Sequence, residues 1–396
     1  FYIIPEPYYG IYFLLIYMTS FVLWNKKLDR TLVLTSRVKR FLVILLFSIF
    51  AVTALCLTNP SCTNTFIFIP LILTYAISTL LEKIFFISFK HKGKQRIQSI
   101  AGLRTIAITA SYGKTSIKNY LYHILKNKYK TYKTPRSVNT IAGIVLDVNR
   151  DIPLDTQIYI AEAGARVKGD IEEIAMFLEP QICIIGSVGP QHIEYFKTLD
   201  NIIHTKMELL KSPRMKMGFV HESVPIKAYS TITKFPNNLH ITKSNLDGIW
   251  FDVEVAGVIE HFHAPILGSF NAINLTAVIL VSHYLGMSIH EIKVAFESLP
   301  QVEHRLQKIE AGGKLIIDDS FNGNLEGMLE AVNICSNHKG RKVIITPGLV
   351  EPTDEANILL AKAINENFDL VILTGSLNTH LLSTNINKEK VYILKD

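Results

Sequence analysis

Three long apolar blocks open the chain, at residues 9–24, 41–57 and 66–89, the last with Glu82 and Lys83 near its end. Each comes near the ~20 residues that a helix needs to cross the hydrocarbon core of a bilayer, although the first is short. A cleaved signal peptide would supply one such block, not three. From residue 104 the pattern changes. Short strand-like runs at 104–109, 157–161, 182–187 and 218–221 alternate with helix-like runs at 117–127, 170–177 and 201–210, which predicts βαβ units around a mainly parallel sheet. Residues 248–263 alternate in polarity and predict an appended hairpin. Two apolar-periodic helices, 271–285 and 289–299, precede a linker at 300–305. A second α/β pattern then runs strand 314–317, helix 326–336, strand 342–346, helix 355–367, strand 370–374 and a last strand 391–394. The expected class is α/β, with three transmembrane helices in 1–98, a central domain in 99–300 and a further α/β domain in 301–396. The chain opens on Phe1 rather than Met and stops at Asp396 just after a strand. The expectation is a fragment at both ends, with the last domain incomplete.

The 396 residues carry a net charge of +7, a balance that on one compact domain would suggest a nucleic-acid footprint. Its distribution argues otherwise. Residues 1–100 hold 11 Lys and Arg against 3 Asp and Glu, whereas the remainder holds 30 against 31. No basic face is implied for the α/β part, and nucleic acid is not an expected partner. The loop between the first two blocks carries Lys26, Lys27, Arg30, Arg37, Lys39 and Arg40, residues 58–64 carry no charge, and Lys90, Lys92, Lys94 and Arg96 follow the third block. By the positive-inside rule the N-terminus lies outside and everything after Lys90 faces the cytoplasm. The expected location is the inner (cytoplasmic) membrane, with the lipid bilayer as a partner. Four cysteines show no C-x-x-C spacing, so a zinc ribbon is not indicated. Cys56 and Cys62 flank the external turn and could in principle pair; Cys183 and Cys335 read as core residues.

The stretch Thr109-Ala110-Ser111-Tyr112-Gly113-Lys114-Thr115-Ser116 lies where a strand passes into a helix, the layout of a phosphate-binding loop. Gly113 permits a tight turn, Lys114 would place an ammonium on β- and γ-phosphates, and Thr115 would offer a hydroxyl to Mg²⁺ at a helix N-terminus. Only the second half of the pattern is present, since Ile108 stands where its first Gly is expected. A Mg²⁺ ion there needs another hard oxygen ligand, usually a carboxylate at the end of a neighbouring strand. Glu162 is so placed, after Tyr159-Ile160-Ala161 and before Ala163-Gly164-Ala165. His192 follows a third strand end that converges on the same edge. Lys206 by itself reads as a solvated helix residue and Asn139 as a turn residue.

Taken together, the Gly-Lys-Thr loop, Thr134-Pro135 with Asn139, the strand-end Glu162-Ala163-Gly164, and His192 and Lys206 downstream resemble the Mur ligase family. These are ATP-dependent amide-forming enzymes of peptidoglycan assembly, and the resemblance runs from about residue 104 to 396. Ile317-Asp318-Asp319-Ser320-Phe321-Asn322-Gly323-Asn324 resembles the Asp-Asp-Ser-Tyr-Asn-Ala-Asn signature of the branch that joins D-alanyl-D-alanine to UDP-N-acetylmuramoyl-tripeptide. Leu267-Gly268-Ser269-Phe270-Asn271-Ala272-Ile273-Asn274 likewise resembles that branch's Gly-x-His-Asn-x-x-Asn segment.

The resemblance implies a P-loop-type central domain, a Rossmann-like C-terminal domain, and C–N bond formation through an acyl phosphate with release of ADP and phosphate. It implies that Ser111, Gly113, Lys114 and Thr115 bind ATP, that Asn271 and Asn274 border the adenine, that Arg305 faces the phosphates and that Asp319 contacts the nucleotide. Of two Mg²⁺ ions, the first would be held by Thr115 and Glu162 and the second by His192 and a carbamylated Lys206. Lys114, Glu162, His192 and Lys206 would carry the catalysis, with Asn139, Asn322 and Asn324 positioning substrates. Ala110 stands where the family commonly has Gly, which predicts tighter phosphate packing, and Phe321 replaces a Tyr. The family's uridine-nucleotide domain is not visible; the membrane segment occupies its place. Two other readings stay open. One is a superfamily ligase of the folylpolyglutamate or cyanophycin type, which should lack the Asp-Asp-Ser signature; the other is an inactive nucleotide-binding membrane protein.

Overall fold

The computed structural model describes residues 15, 19–28, 33–57, 68–190, 193–320, 325–350 and 354–394. It divides into two compact units, Phe1–His91 and Lys92–Asp396. In the first, the block at 9–24 lies outside the described residues except for Leu15 and a helix at Thr19–Lys26. The second block forms the helix Ser36–Leu57, uninterrupted by Gly or Pro. The third belongs to a helix that starts at Ile69, with Pro70 in the first turn where a missing N–H is tolerated, and continues through the basic residues to Ser99. By length and composition, Ser36–Cys56 and Ile69–Ser99 can each cross a membrane, and almost none of their apolar surface is buried. A polar clasp joins them. Arg40 donates from Nε and Nη2 to Glu82 Oε1 (2.9 and 2.6 Å), with its guanidinium 5.2 Å from the centre of the Phe85 ring.

The second unit is built on a six-stranded sheet: β1 (Arg104–Thr109), β2 (Thr131–Lys133), β3 (Ile158–Glu162), β4 (Ile182–Ile185), β5 (Met217–His221) and β6 (Ile232–Phe235). The order is β2-β3-β1-β4-β5-β6 and every pairing is parallel. β3 and β4 are apolar nearly throughout, β1 has an apolar centre at Ile106-Ala107-Ile108, and all three are buried, as strands covered on both faces must be. Ile106, Ile108, Ile160 and Ile184 share a core with Ile117, Leu121 and Ile124 of the helix Lys114–Leu125 and with Leu275 and Val278 of the helix Asn271–Tyr284. Because β1 lies between β3 and β4, the chain reverses its direction of winding at the carboxyl end of β1. Ligands of open α/β sheets collect at such a crevice.

A three-stranded antiparallel sheet, β7 (His240–Asn245), β8 (Gly248–Val255) and β9 (Val258–Ala264), contains the expected hairpin. The C-terminal α/β pattern is realised with one correction. The strand expected at 314–317 does not join the parallel sheet; it pairs as β11 (Lys314–Asp318) with β10 (Gln307–Ala311) in an antiparallel hairpin. Its tip is Gly312-Gly313, both with positive φ (57° and 70°), a two-residue turn that favours glycine at both positions. The parallel sheet comprises β12 (Val343–Thr346), β13 (Leu370–Leu373) and β14 (Val391–Ile393). Sequence reading also passes over β2, β6 and the helix Thr379–Asn385, elements short enough that a few apolar positions define no period, and over the amphipathic helix Ile141–Arg150, which buries Ile144, Val145 and Val148.

Candidate active site

Three parallel strands bring their carboxyl ends to one edge, and the expected site residues follow them. After β1 the loop is fastened to the end of β4: Ser111 N–H and Tyr112 N–H donate to Ser187 O (2.8 and 3.3 Å), and Ser111 Oγ donates to Gly189 O (3.0 Å). Gly113 then turns with φ 82° and begins the helix Lys114–Leu125 without any side-chain cap. First-turn N–H groups are thus left for an anion. A Cβ at Gly113 would sit 2.2 Å from Asn274 Oδ1. Asn274 is buried and held there, donating from Nδ2 to Asn271 Oδ1 (3.2 Å), while Asn271 donates to Leu267 O (2.7 Å).

Lys114 folds back on its own loop, donating from Nζ to Ala110 O (2.5 Å) and Ser111 O (3.2 Å). Burial lowers its pKa to about 8; Glu162 opposes the shift and Arg305 adds to it. Thr115 Oγ1 donates to Glu162 Oε2 (3.2 Å). Glu162 Oε1 lies 2.7 Å from Lys118 Nζ in an ion pair whose two side chains are only 1% exposed. A threonine hydroxyl and a carboxylate that meet at one point form a donor set that fits a hard divalent cation.

Asn139 joins this group from another loop. Gly164 N–H donates to Asn139 O (2.8 Å), and a Cβ on Gly164 would lie 2.7 Å from Asn139 Cγ. Lys206, which the sequence alone makes a solvated residue, is 4% exposed. Burial, with the Lys114 charge, lowers its pKa to about 7 against the opposing pull of Asp170 and Glu208. Glu208 is itself occupied in capping the helix Asp170–Leu178, accepting from Gly169 N–H (2.9 Å) and Glu172 N–H (3.2 Å).

Arg305 sits on the linker, half-buried. Its pKa is lowered by burial and raised by Asp319, Glu162 and Tyr120, which places its charge within reach of the loop. Asp319 Oδ1 accepts from Leu306 N–H (3.1 Å); burial pushes its carboxyl up against that bond and the Arg305 charge. His192, Asn322 and Asn324 lie outside the described residues. Among the described residues no three His, Cys, Asp or Glu side chains form a metal cluster.

Three participants escape sequence reading. Lys118 has a signal, one helical turn beyond Lys114 on the same side. Glu330 has none: Oε1 accepts from Ser269 N–H (2.8 Å) and ties the Asn271 segment to the helix Leu325–Ser336. Gly186 explains Ala110. A Cβ on Gly186 would fall 2.9 Å from Ala110 Cβ and 3.3 Å from Ile117 Cδ1. The extra methyl of Ala110 therefore fills space left by a glycine at the end of β4, and the tighter phosphate packing expected of it has no basis in this contact.

A loop laid out for phosphate at the switch point of a parallel sheet, with a strand-end carboxylate beside its threonine, has the architecture of nucleotide-binding α/β domains, and residues 108–282 match the family model of the Mur ligase middle domain. The chain is 27% identical over 295 residues to the UDP-N-acetylmuramoyl-tripeptide–D-alanyl-D-alanine ligase of Borreliella burgdorferi, covering 69% of this chain and 62% of that protein. It is 29% identical over 301 residues to the ligase of the same name from Buchnera aphidicola, covering 70% and 64%. The chain thus spans somewhat less than two thirds of the length of these relatives. Its fold is shared with the MurF ligase of Thermotoga maritima solved in complex with ADP (22% identity, TM-score 0.65, 77% of this chain and 73% of that one).

Proposed function

We propose that the chain is an ATP-dependent acid–amino-acid ligase that joins D-alanyl-D-alanine to UDP-N-acetylmuramoyl-tripeptide in peptidoglycan precursor synthesis. The reading rests above all on the Thr115–Glu162 pair, set beside Lys114 and Arg305 at the switch point, together with the names of the relatives. A carboxylate is a poor acyl donor. In this reading it first attacks the γ-phosphate of ATP to give an acyl phosphate and ADP, and the amine of the dipeptide then displaces phosphate through a tetrahedral intermediate. Lys114 leaves the Ala110 and Ser111 carbonyls for the β/γ-phosphates. The polyphosphate charge draws its depressed pKa back up, so it acts as a full cation at neutral pH. Arg305 supplies a second cation from the linker, Ser111 and Gly113 shape the cradle, and Asn271 and Asn274 border the base. Asp319 sets the linker through Leu306 N–H.

Thr115 and Glu162 would hold one Mg²⁺, and His192 with a carbamylated Lys206 a second, the ions supplying charge neutralisation on the transferring phosphoryl group. Lys206 suits that modification, because a pKa of about 7 leaves a lone pair free to add CO₂ at neutral pH. Asn139, Asn322 and Asn324 position the substrates. The helices Ser36–Cys56 and Ile69–Ser99 would anchor the enzyme in the inner membrane with its catalytic domains on the cytoplasmic side.

Phosphate release by the full chain tests the reaction: turnover that requires both UDP-N-acetylmuramoyl-tripeptide and D-alanyl-D-alanine is expected, and turnover indifferent to either overturns it. Lys206→Ala should lose activity and regain part of it with short-chain carboxylates; no rescue removes the carbamate. The anchor predicts release from membranes by detergent but not by alkaline carbonate, and recovery in the carbonate supernatant removes it.

A further inference from the structure

Glu162 has a permanent partner that the reaction scheme leaves unused. Lys118 is fully buried, pairs with Glu162 Oε1 at 2.7 Å, and donates to Thr134 O (2.9 Å) and to Arg136 O. Its three contacts join the loop helix, the strand-end carboxylate and the segment 134–139 that brings Asn139 against Gly164. Arg136, whose carbonyl takes that bond, holds a left-handed backbone (φ 45°). Among the described residues four cations stand around the one carboxylate: Lys118 in contact, with Lys114, Lys133 and Arg305 acting on it through space. Asp319 offsets only Arg305. The pocket is therefore net positive before any ligand enters. Such a site attracts a polyphosphate and repels a bare divalent cation.

We infer that Lys118 is a positioning residue that acts as the standing counter-cation of Glu162, holding the carboxylate in place without metal, so that the first Mg²⁺ enters with the nucleotide rather than ahead of it. The inference rests on reading Glu162 as a metal-facing carboxylate, not on the identity of the acyl acceptor. Removing the lysine leaves a buried carboxylate unpaired, which is strongly destabilising, and makes a bare cation welcome at the same oxygens.

The test is thermal melting of the full chain in detergent, without nucleotide, in EDTA and in millimolar MgCl₂. Wild type should shift by less than about 1 °C on adding Mg²⁺. Lys118→Met should melt about 5–15 °C lower in EDTA and recover a good part of that loss in MgCl₂. Lys118→Met with Glu162→Gln should recover stability in EDTA and lose the Mg²⁺ response; Lys118→Arg should behave like wild type. If the single variant does not fold but the double variant does, the charge pairing is upheld. A single variant with no Mg²⁺ response, or a double variant no more stable than the single, overturns the inference and leaves Lys118 a packing residue for the 134–136 carbonyls. Failure of both to fold has the same meaning. Phosphate release decides the reaction separately, so either idea can fall without the other.

Discussion

Gly113→Ala probes whether the phosphate loop and the Asn271–Asn274 column are one object. Two costs add. The left-handed φ of 82° costs a residue with a Cβ about 1–2 kcal/mol. The new methyl would also fall 2.2 Å from Asn274 Oδ1, and Asn274 cannot simply turn away. Its Nδ2 is bonded to Asn271, which is bonded to Leu267 O, so retreat leaves buried amide groups unpaired. Overpacking of this kind costs about 1–3 kcal/mol. The total expected loss is about 2–5 kcal/mol. In an Asn274→Ala background only the backbone part should remain, giving a coupling of about 1–3 kcal/mol in a double-mutant cycle measured by urea denaturation. Nucleotide affinity, followed with a fluorescent ADP analogue, should fall in Gly113→Ala. A Gly113→Ala cost that is the same in both backgrounds would refute the reasoning, since the asparagine would then not be holding the loop.

Three further predictions follow from neighbouring contacts. Gly186→Ala should destabilise by about 1–3 kcal/mol through its 2.9 Å approach to Ala110 Cβ, and Ala110→Gly should relieve most of that loss in the same denaturation assay. Asp147 accepts from the Tyr132 and Tyr159 hydroxyls, both at 2.7 Å, so Asp147→Ala should cost about 1–3 kcal/mol, chiefly by orphaning the buried Tyr159 donor, and markedly less once both tyrosines are Phe. The pKa of Lys206 is lowered to about 7 and that of Lys114 to about 8, against 10.5 in the unfolded chain. The unfolded chain then binds more protons between those values, so stability should rise with pH from about 7 to 10.5, by up to ~1.4 kcal/mol per unit for each group. Melting against pH in carbonate-free buffer checks this, and Lys206→Met should remove the part that begins near pH 7.

The extent to which the site was legible follows from how far apart its partners lie. Gly113, Lys114 and Thr115 declare themselves within one loop, because a tight turn into a helix demands those residue types in sequence. Glu162 is legible as a strand end. Lys206 is not: nothing in His204-Thr205-Lys206-Met207 reveals that the residue is buried, and only the packing of the helix Leu199–Met207 removes its ammonium from water. Lys118 is passed over because a lysine on a helix reads as solvated unless its carboxylate partner, contributed by another strand, is known.

Apolar periodicity, turn residues and the charge asymmetry of the first hundred residues act over a few positions, and they determined the α/β class, the apolar N-terminal helices and the nucleotide loop. The strand order β2-β3-β1-β4-β5-β6 was decided only in three dimensions, and with it which groups share one desolvated point. Electrostatics there depend on distance through the fold rather than along the chain. Glu162 thus meets Lys118 and Thr115, Asn274 closes on Gly113, and Ala110 fits because Gly186 stands beside it.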